Sequence, residues 1–251
     1  MVIKMEAYKV DELLLYRGED IVINDKIKLH IPTLDEICKY GEQAYYSMVY
    51  NFTSVGADLK WQLDKIGVDY TKINDFELFY TLLSKQYSKE KTFILFGELD
   101  WMNFEHGTNT ANQEALMYDR KNNIIVDEYT YNLIMSYLRN IHNLKRNSQL
   151  PANETTKKIL IEDAYDEYLA NKTTEYHSQL LPLISAMTNS SGFKYNHNNV
   201  WALKINVFMD CVKRIAKIQN SRLLLQSGYS GYGIDLKKID QKQLDWTGEL
   251  D

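Results

Sequence analysis

The stretch FKYNHNNVWALKINVFMDCVKRIAKIQNSRLLLQSGYSGYGIDLKKIDQKQLDW, from Phe193 to Trp246, decides how the C-terminal half is read. Trp201, Ile205, Phe208, Val212 and Ile215 recur at spacings of four and three, with Ile218 three further on. Apolar residues spaced this way line one side of an α-helix, so the pattern predicts a helix with one core-facing stripe. Lys204, Asn206, Asp210, Lys213, Lys217 and Asn220 fall largely on the other faces, a solvated basic surface. Neither proline nor glycine interrupts Asn198 to Leu225. Asn198 or Asn199 is the expected N-cap, because a short side-chain oxygen accepts from the free first-turn amides. Gly228 stands where a left-handed residue is often needed after a helix.

The segment Gly228-Tyr229-Ser230-Gly231-Tyr232-Gly233 is glycine-rich but is not a phosphate loop. A Walker loop ends in Gly-Lys-Ser/Thr, and a dinucleotide fingerprint needs a strand before the glycines and a helix after them. Here a helix comes first and a polar tail follows, which predicts a turn with packed tyrosines. Beyond it, Ile234, Leu236, Ile239, Leu244 and Trp246 are apolar anchors spaced among charges. Such a segment must be tied down to be ordered, either on its own domain or on another chain. Tyr229, Tyr232, Leu236, Ile239, Leu244 and Trp246 are therefore the candidate protein-binding residues.

Composition narrows the class. With 251 residues the chain has room for an ample core, and 45% hydrophobic and 25% charged residues are ordinary globular values. A net charge of -5 argues against a non-specific nucleic-acid footprint. Apolar runs are too short for a membrane span. Cys38 and Cys211 lie far apart in predicted helices, without a Cys-x-x-Cys pair. Read as free buried thiols, they fit a reducing cytoplasm.

The N-terminal part, Met1 to Ile31, reads as strands. Ile21 and Ile23, then Ile27, Leu29 and Ile31, alternate on either side of Asn24-Asp25, which predicts a β-hairpin. Thr33 and Glu36 form a capping box opening a helix that runs to about Asn51. A second helix covers Asp58 to Ile66 and stops at Gly67. Asn74 caps a third carrying Phe76, Phe79, Tyr80 and Leu83. Thr92 to Phe96 reads as a short buried strand, although its length does not by itself separate strand from helix. Gly97 to Glu114 reads as a loop, and Leu116–Asp119 with Ile124–Val126 as a second hairpin. Asp127 caps a helix with Tyr131, Ile134, Met135, Leu138 and Ile141 at helical spacing. Two more helices are expected at Asn153–Asn171 and Thr174–Thr188, the second kinked or restarted at Pro182.

The expected fold is α+β, mainly α: an N-terminal β-hairpin and small sheet with helices, a helical C-terminal half and an extended tail. Its divisions are a mixed region over 1–150, a helical region over 151–225 packed on it, and the turn and docking tail over 226–251. The whole also reads as one domain.

No catalytic constellation is visible. Glu98, Asp100, Glu105 and His106 share a predicted loop but lack a metal-ligand spacing. Glu162, Asp163, Asp166 and Glu167 read as a solvated helix face. The histidines His30, His106, His142, His177 and His197 make no His-Glu-x-x-His or Cys/His array. No cofactor or metal is expected. An enzyme with a spatially assembled site remains a separate reading, which a convergent pocket of carboxylates and histidine would support.

Several runs resemble uncharacterised tail-morphogenesis proteins of tailed phages of Gram-positive bacteria. These runs are Phe193-Lys194-Tyr195-Asn196, Leu236-Lys237-Lys238-Ile239, Leu244-Asp245-Trp246, Tyr16-Arg17-Gly18-Glu19-Asp20-Ile21 and Pro32-Thr33-Leu34-Asp35-Glu36-Ile37. The resemblance implies a tail assembly chaperone or a minor virion component acting in the host cytoplasm. Its partners would be other tail proteins, such as a tape-measure or tube protein, or further copies of itself in a connector or baseplate. It supplies no catalytic residues.

Overall fold

The computed structural model describes residues 10–231 and 233–250. The chain is mainly helical with two small antiparallel sheets. Of the expected N-terminal strands, residues 1–9 lie outside the described part, and Glu12–Arg17 is a helix, α1. Asp11 caps it by accepting from the Leu14 amide, and Gly18 ends it at φ +71°. The hairpin is present as β1 (Ile21–Val22) and β2 (Lys28–Leu29), with Ile21 opposite Leu29. Its turn is closed by the Asn24 carboxamide, which accepts from the amides of Lys26 and Ile27.

The capping box forms as expected. The Glu36 amide donates to the Thr33 hydroxyl at 3.2 Å, and the Thr33 amide donates to the Glu36 carboxylate at 2.6 Å. The helix it opens is shorter than the sequence suggests. Gly41 takes φ +99° and splits it into α2 (Leu34–Tyr40) and α3 (Glu42–Thr53). Glycine adopts that backbone at no steric cost. A 3-10 turn at Gly56–Asp58 precedes α4 (Lys60–Lys65), and Gly67 follows it at φ +75°. Asn74 caps α5 (Asp75–Leu78), which widens into a π-turn over Phe79–Leu83.

Two expectations are corrected next. Thr92–Phe96 belongs to a helix, α6 (Lys89–Phe96), and is not a strand. Thr92, Leu95 and Phe96 are buried while Phe93 is 56% exposed, a spacing of three and four. The polar Lys89-Glu90-Lys91 supplies the first turn that the apolar run alone lacks. The supposed loop 97–114 contains a strand, β3 (Glu105–Thr108), paired with β4 (Ala115–Asp119). Gly107 accommodates the Tyr118 ring, since a β-carbon there would stand 3.0 Å from Tyr118 Cε1. β5 (Ile124–Asp127) completes the sheet in the order β3-β4-β5, forming the predicted hairpin with β4.

Asp127 caps α7 (Glu128–Ile141) by accepting from the Thr130 amide. Asn153 likewise caps α8 (Glu154–Lys172), which has no buried residue. It is tied down by a Lys157–Asp69 ion pair at 2.8 Å and by Trp61 on α4, whose ring meets Tyr165 and Tyr168. The helix expected from Thr174 starts only at Leu180, as α9 (Leu180–Thr188). Pro182 sits in its first turn, where a missing N–H breaks no helical bond.

The long C-terminal helix, α10, runs from Ile205 to Tyr229. It starts later and ends later than the sequence predicts. Val200–Ala202 is a separate 3-10 turn, so neither Asn198 nor Asn199 caps α10. Instead the segment before it pairs with the segment before α2. The Ile205 amide donates to the Pro32 carbonyl and the Leu34 amide to the Leu203 carbonyl, both at 2.9 Å. Asn206 donates to the Leu15 carbonyl at 2.6 Å from a buried position. Gly228 is helical, and the left-handed residue is Gly231 at φ +77°.

One cluster of buried residues runs from Leu15 to Phe208. Its centre is aromatic: Trp101 lies within 5.2–5.7 Å, ring to ring, of Phe52, Phe79, Phe96 and Phe104. Among the described residues, the hydrophobic residues of α10 that belong to this core or pack against it end at Ile215. Cys38 is exposed, contrary to its buried reading. Cys211 is half-covered, and burial pushes its thiol up. Among the described residues no helix is long and apolar enough to cross a membrane.

Candidate interaction surface

The part of α10 beyond the core is covered on one flank by the tail. The tail holds a 3-10 turn at Leu236–Lys238 and a short helix, α11 (Gln241–Leu244). Asp235 and Asp240 cap these two turns by accepting from the amides of Lys237 and Lys242. Asp245 closes a third turn by accepting from the Thr247 hydroxyl and amide, and those bonds hold its carboxyl below the ordinary range.

The tail runs back along α10, antiparallel to it. Leu236 packs against Gly228, near the helix end. Seven residues earlier on α10, the Ser221 hydroxyl donates to the Leu244 carbonyl at 2.7 Å. Two turns further back, the Arg214 guanidinium donates to the carbonyls of Trp246 and Gly248 at 2.7 and 2.8 Å. Lys217 donates to the Glu249 carbonyl. All four acceptors are main-chain oxygens, so α10 recognises the path of the tail more than its side chains.

The candidate residues divide accordingly. Leu236, Ile239 and Leu244 are half-buried, Leu236 against α10 itself. Tyr229 is 81% and Trp246 53% exposed. Both line an open groove of about 760 Å³, together with Ile218, Leu225, Arg222 and Gln226. Tyr232 lies outside the described residues. Sequence reading missed Arg214, Lys217 and Ser221 as tail-holding groups. Their signal was a second stripe, Arg214, Lys217, Ser221, Leu225 and Gly228, again at spacings of three and four. It carries two small residues where another segment comes close.

The other candidates do not converge. Glu98 pairs with Lys89, and Asp100 caps a turn by accepting from the Met102 amide. Glu105 accepts from the Tyr118 hydroxyl, and His106 stacks on Tyr80. Glu162, Asp163, Asp166 and Glu167 are exposed along α8. Among the described residues no group of three or more His, Cys, Asp or Glu side chains is placed to hold a metal.

A cleft of about 1,210 Å³ lies between the hairpin, α2 and α6 and is lined by charges of both signs. His30 sits at its side between two carboxylates, Nδ1 2.6 Å from Asp20 and Nε2 3.2 Å from Glu36. The hairpin register, which sets Ile21 opposite Leu29, carries Asp20 toward His30. Burial raises the Glu36 carboxyl, but hydrogen bonds from Thr33 and His30 outweigh it and hold the group below its ordinary range. Both imidazole nitrogens are engaged and Glu36 is committed to the helix cap. The trio therefore joins the hairpin to α2.

No protein-family model, no curated protein and no solved structure matches the chain.

Proposed function

We propose that this protein is a non-enzymatic assembly factor that binds another protein through the arm formed by α10 and the tail. One observation carries the reading: the arm extends past the core and holds two large aromatics, Tyr229 and Trp246, exposed beside an open apolar groove. Aromatic anchors of this kind dominate interface energies, at about 2 kcal/mol or more each when central. The partner class comes from the sequence resemblance: an unassembled phage tail protein, such as a tape-measure or tube protein, whose apolar surface the arm covers in the host cytoplasm.

Mass spectrometry on an infected culture tests this. Purified virions and material recovered with the tagged protein from lysate are compared. Tail proteins in the lysate sample, with this protein absent from virions, are expected. They should be lost from the sample when Tyr229 and Trp246 are both replaced by alanine. A fixed stoichiometry in virions would replace the factor with a structural subunit. Absence of tail proteins from the lysate sample and of this protein from virions would remove the phage reading.

A further inference from the structure

We infer that a cleft near the start of α10 binds a primary ammonium group. The cleft, about 550 Å³, is lined by residues of α1, α10, the end of α7 and the last part of the tail. Glu12, Asp210 and Glu249 line it, and among the described residues their carboxylates form no ion pair and accept no hydrogen bond. Lys213 and Arg214 line it too, but both already donate to neutral oxygens. Lys213 reaches the Asn143 carboxamide at 3.4 Å, and Arg214 the Trp246 and Gly248 carbonyls at 2.7 and 2.8 Å. Three carboxylates thus face two cations, which leaves one positive charge to be supplied.

Asn206 locates that charge. It lines the cleft at only 9% exposure, and its Nδ2 donates to the carbonyl of Leu15, another lining residue, at 2.6 Å. That bond fixes the carboxamide at the wall of the cleft, and its Oδ1 has no hydrogen-bond partner. A buried acceptor is costly to leave without a donor. Asp210 stands four residues on, the spacing that sets two side chains next to each other on a helix. A donor between them meets the Asn206 carboxamide oxygen and the Asp210 carboxylate together. An ammonium group supplies three N–H donors, accepts nothing and carries the single charge required. A bare metal ion is a poorer match, since among the described residues no three His, Cys, Asp or Glu side chains are placed to hold one. The cleft shares no described lining residue with the groove beside Tyr229 and Trp246, so the inference stands apart from the partner proposed above.

Nuclear magnetic resonance titration of the full chain tests it with two probes that carry the same ammonium. One is n-butylammonium, standing for a small-molecule amine. The other is Gly-Lys-Gly blocked at both ends, standing for a lysine side chain of a protein. At least one should shift the Asn206 side-chain amide and the backbone amides of Asn206 and Asp210 saturably, and the tighter of the two names the source. Tetramethylammonium, which has the charge but no N–H, and the peptide with its lysine acetylated should leave these signals in place. Asn206→Leu removes the acceptor and should weaken binding at least tenfold. Asp210→Asn, at a half-buried position, should do the same and keeps the test open if Asn206→Leu fails to fold. Absence of a shift with both probes, equal binding of tetramethylammonium or of the acetylated peptide, or unchanged affinity in Asp210→Asn would overturn the site.

Discussion

Leu236 packs so closely on the Cα of Gly228 that a β-carbon at 228 would overlap its Cγ and both Cδ atoms. The glycine is therefore not a helix terminator but a notch in a helix face. Replacing Gly228 with alanine should act in two directions. Alanine favours the helix by up to ~1 kcal/mol in an interior position, less near an end. The displaced Leu236 should release the tail. The expected outcome is an unchanged or slightly raised melting temperature together with faster tryptic cleavage at Lys237, Lys238 and Lys242. Unchanged cleavage would show that the notch does not hold the tail.

His142 carries a pH dependence. Its Nε2 lies 2.6 Å from the Tyr45 hydroxyl and its Nδ1 2.8 Å from the Leu138 carbonyl. Burial, only partly offset by the bond to Leu138, pushes its pKa down to about 4. The neutral ring thus accepts from Tyr45 and donates to Leu138. In the unfolded chain the imidazole titrates near 6.5, so it takes up a proton that the folded form refuses. Stability should be fully present above that value and fall as pH drops from about 6.5 to 4, by on the order of 2–3 kcal/mol. Urea unfolding at pH 7 and pH 5 should show this decline, and His142→Gln should flatten it.

The carboxylate of Glu42 caps a helix far away in sequence. It accepts from the Ser178 hydroxyl at 2.5 Å and from the amides of Gln179 and Leu180 at 2.8 and 2.9 Å, at the start of α9. Burial raises its pKa, but these bonds prevail and hold it below the ordinary range. Glu42→Ala should cost about 1–2 kcal/mol, the usual value of a helix cap. It should also speed hydrogen exchange at Gln179 and Leu180. The contribution is present above the ordinary glutamate range and is lost as pH falls through the lower folded value.

Asp69 should govern how firmly α8 is attached. Lys157 first, then the hydroxyl and amide of Thr71, hold its carboxyl well below the ordinary range. Asp69→Asn should raise hydrogen exchange across the first turns of α8 while leaving α7 protected. Acidifying the native protein below the ordinary aspartate range should reproduce that pattern. If exchange in α8 is unaffected, the aromatic contacts of Trp61 alone fasten the helix.

Sequence by itself determined the features that close within a few residues. The Thr33–Glu36 capping box, the caps at Asn74 and Asp127, both hairpins and the apolar stripe of α7 were legible because their hydrogen bonds or periodicity are local. The tail anchors were legible too, since spaced apolar residues among charges must be covered by something. Tertiary structure decided the rest. Thr92–Phe96 is a helix whose one face buries Thr92, Leu95 and Phe96, with Phe96 against Trp101, a preference so short a run cannot express alone. β3 exists because β4 offers its unpaired edge, and Asp20 reaches His30 only through the hairpin register. In the same way, Arg214, Lys217 and Ser221 look like an ordinary solvated face until the tail folds back and gives them carbonyls to bind. A donor on a helix surface is satisfied equally by water or by protein, so its sequence carries no mark of which acceptor the fold will bring.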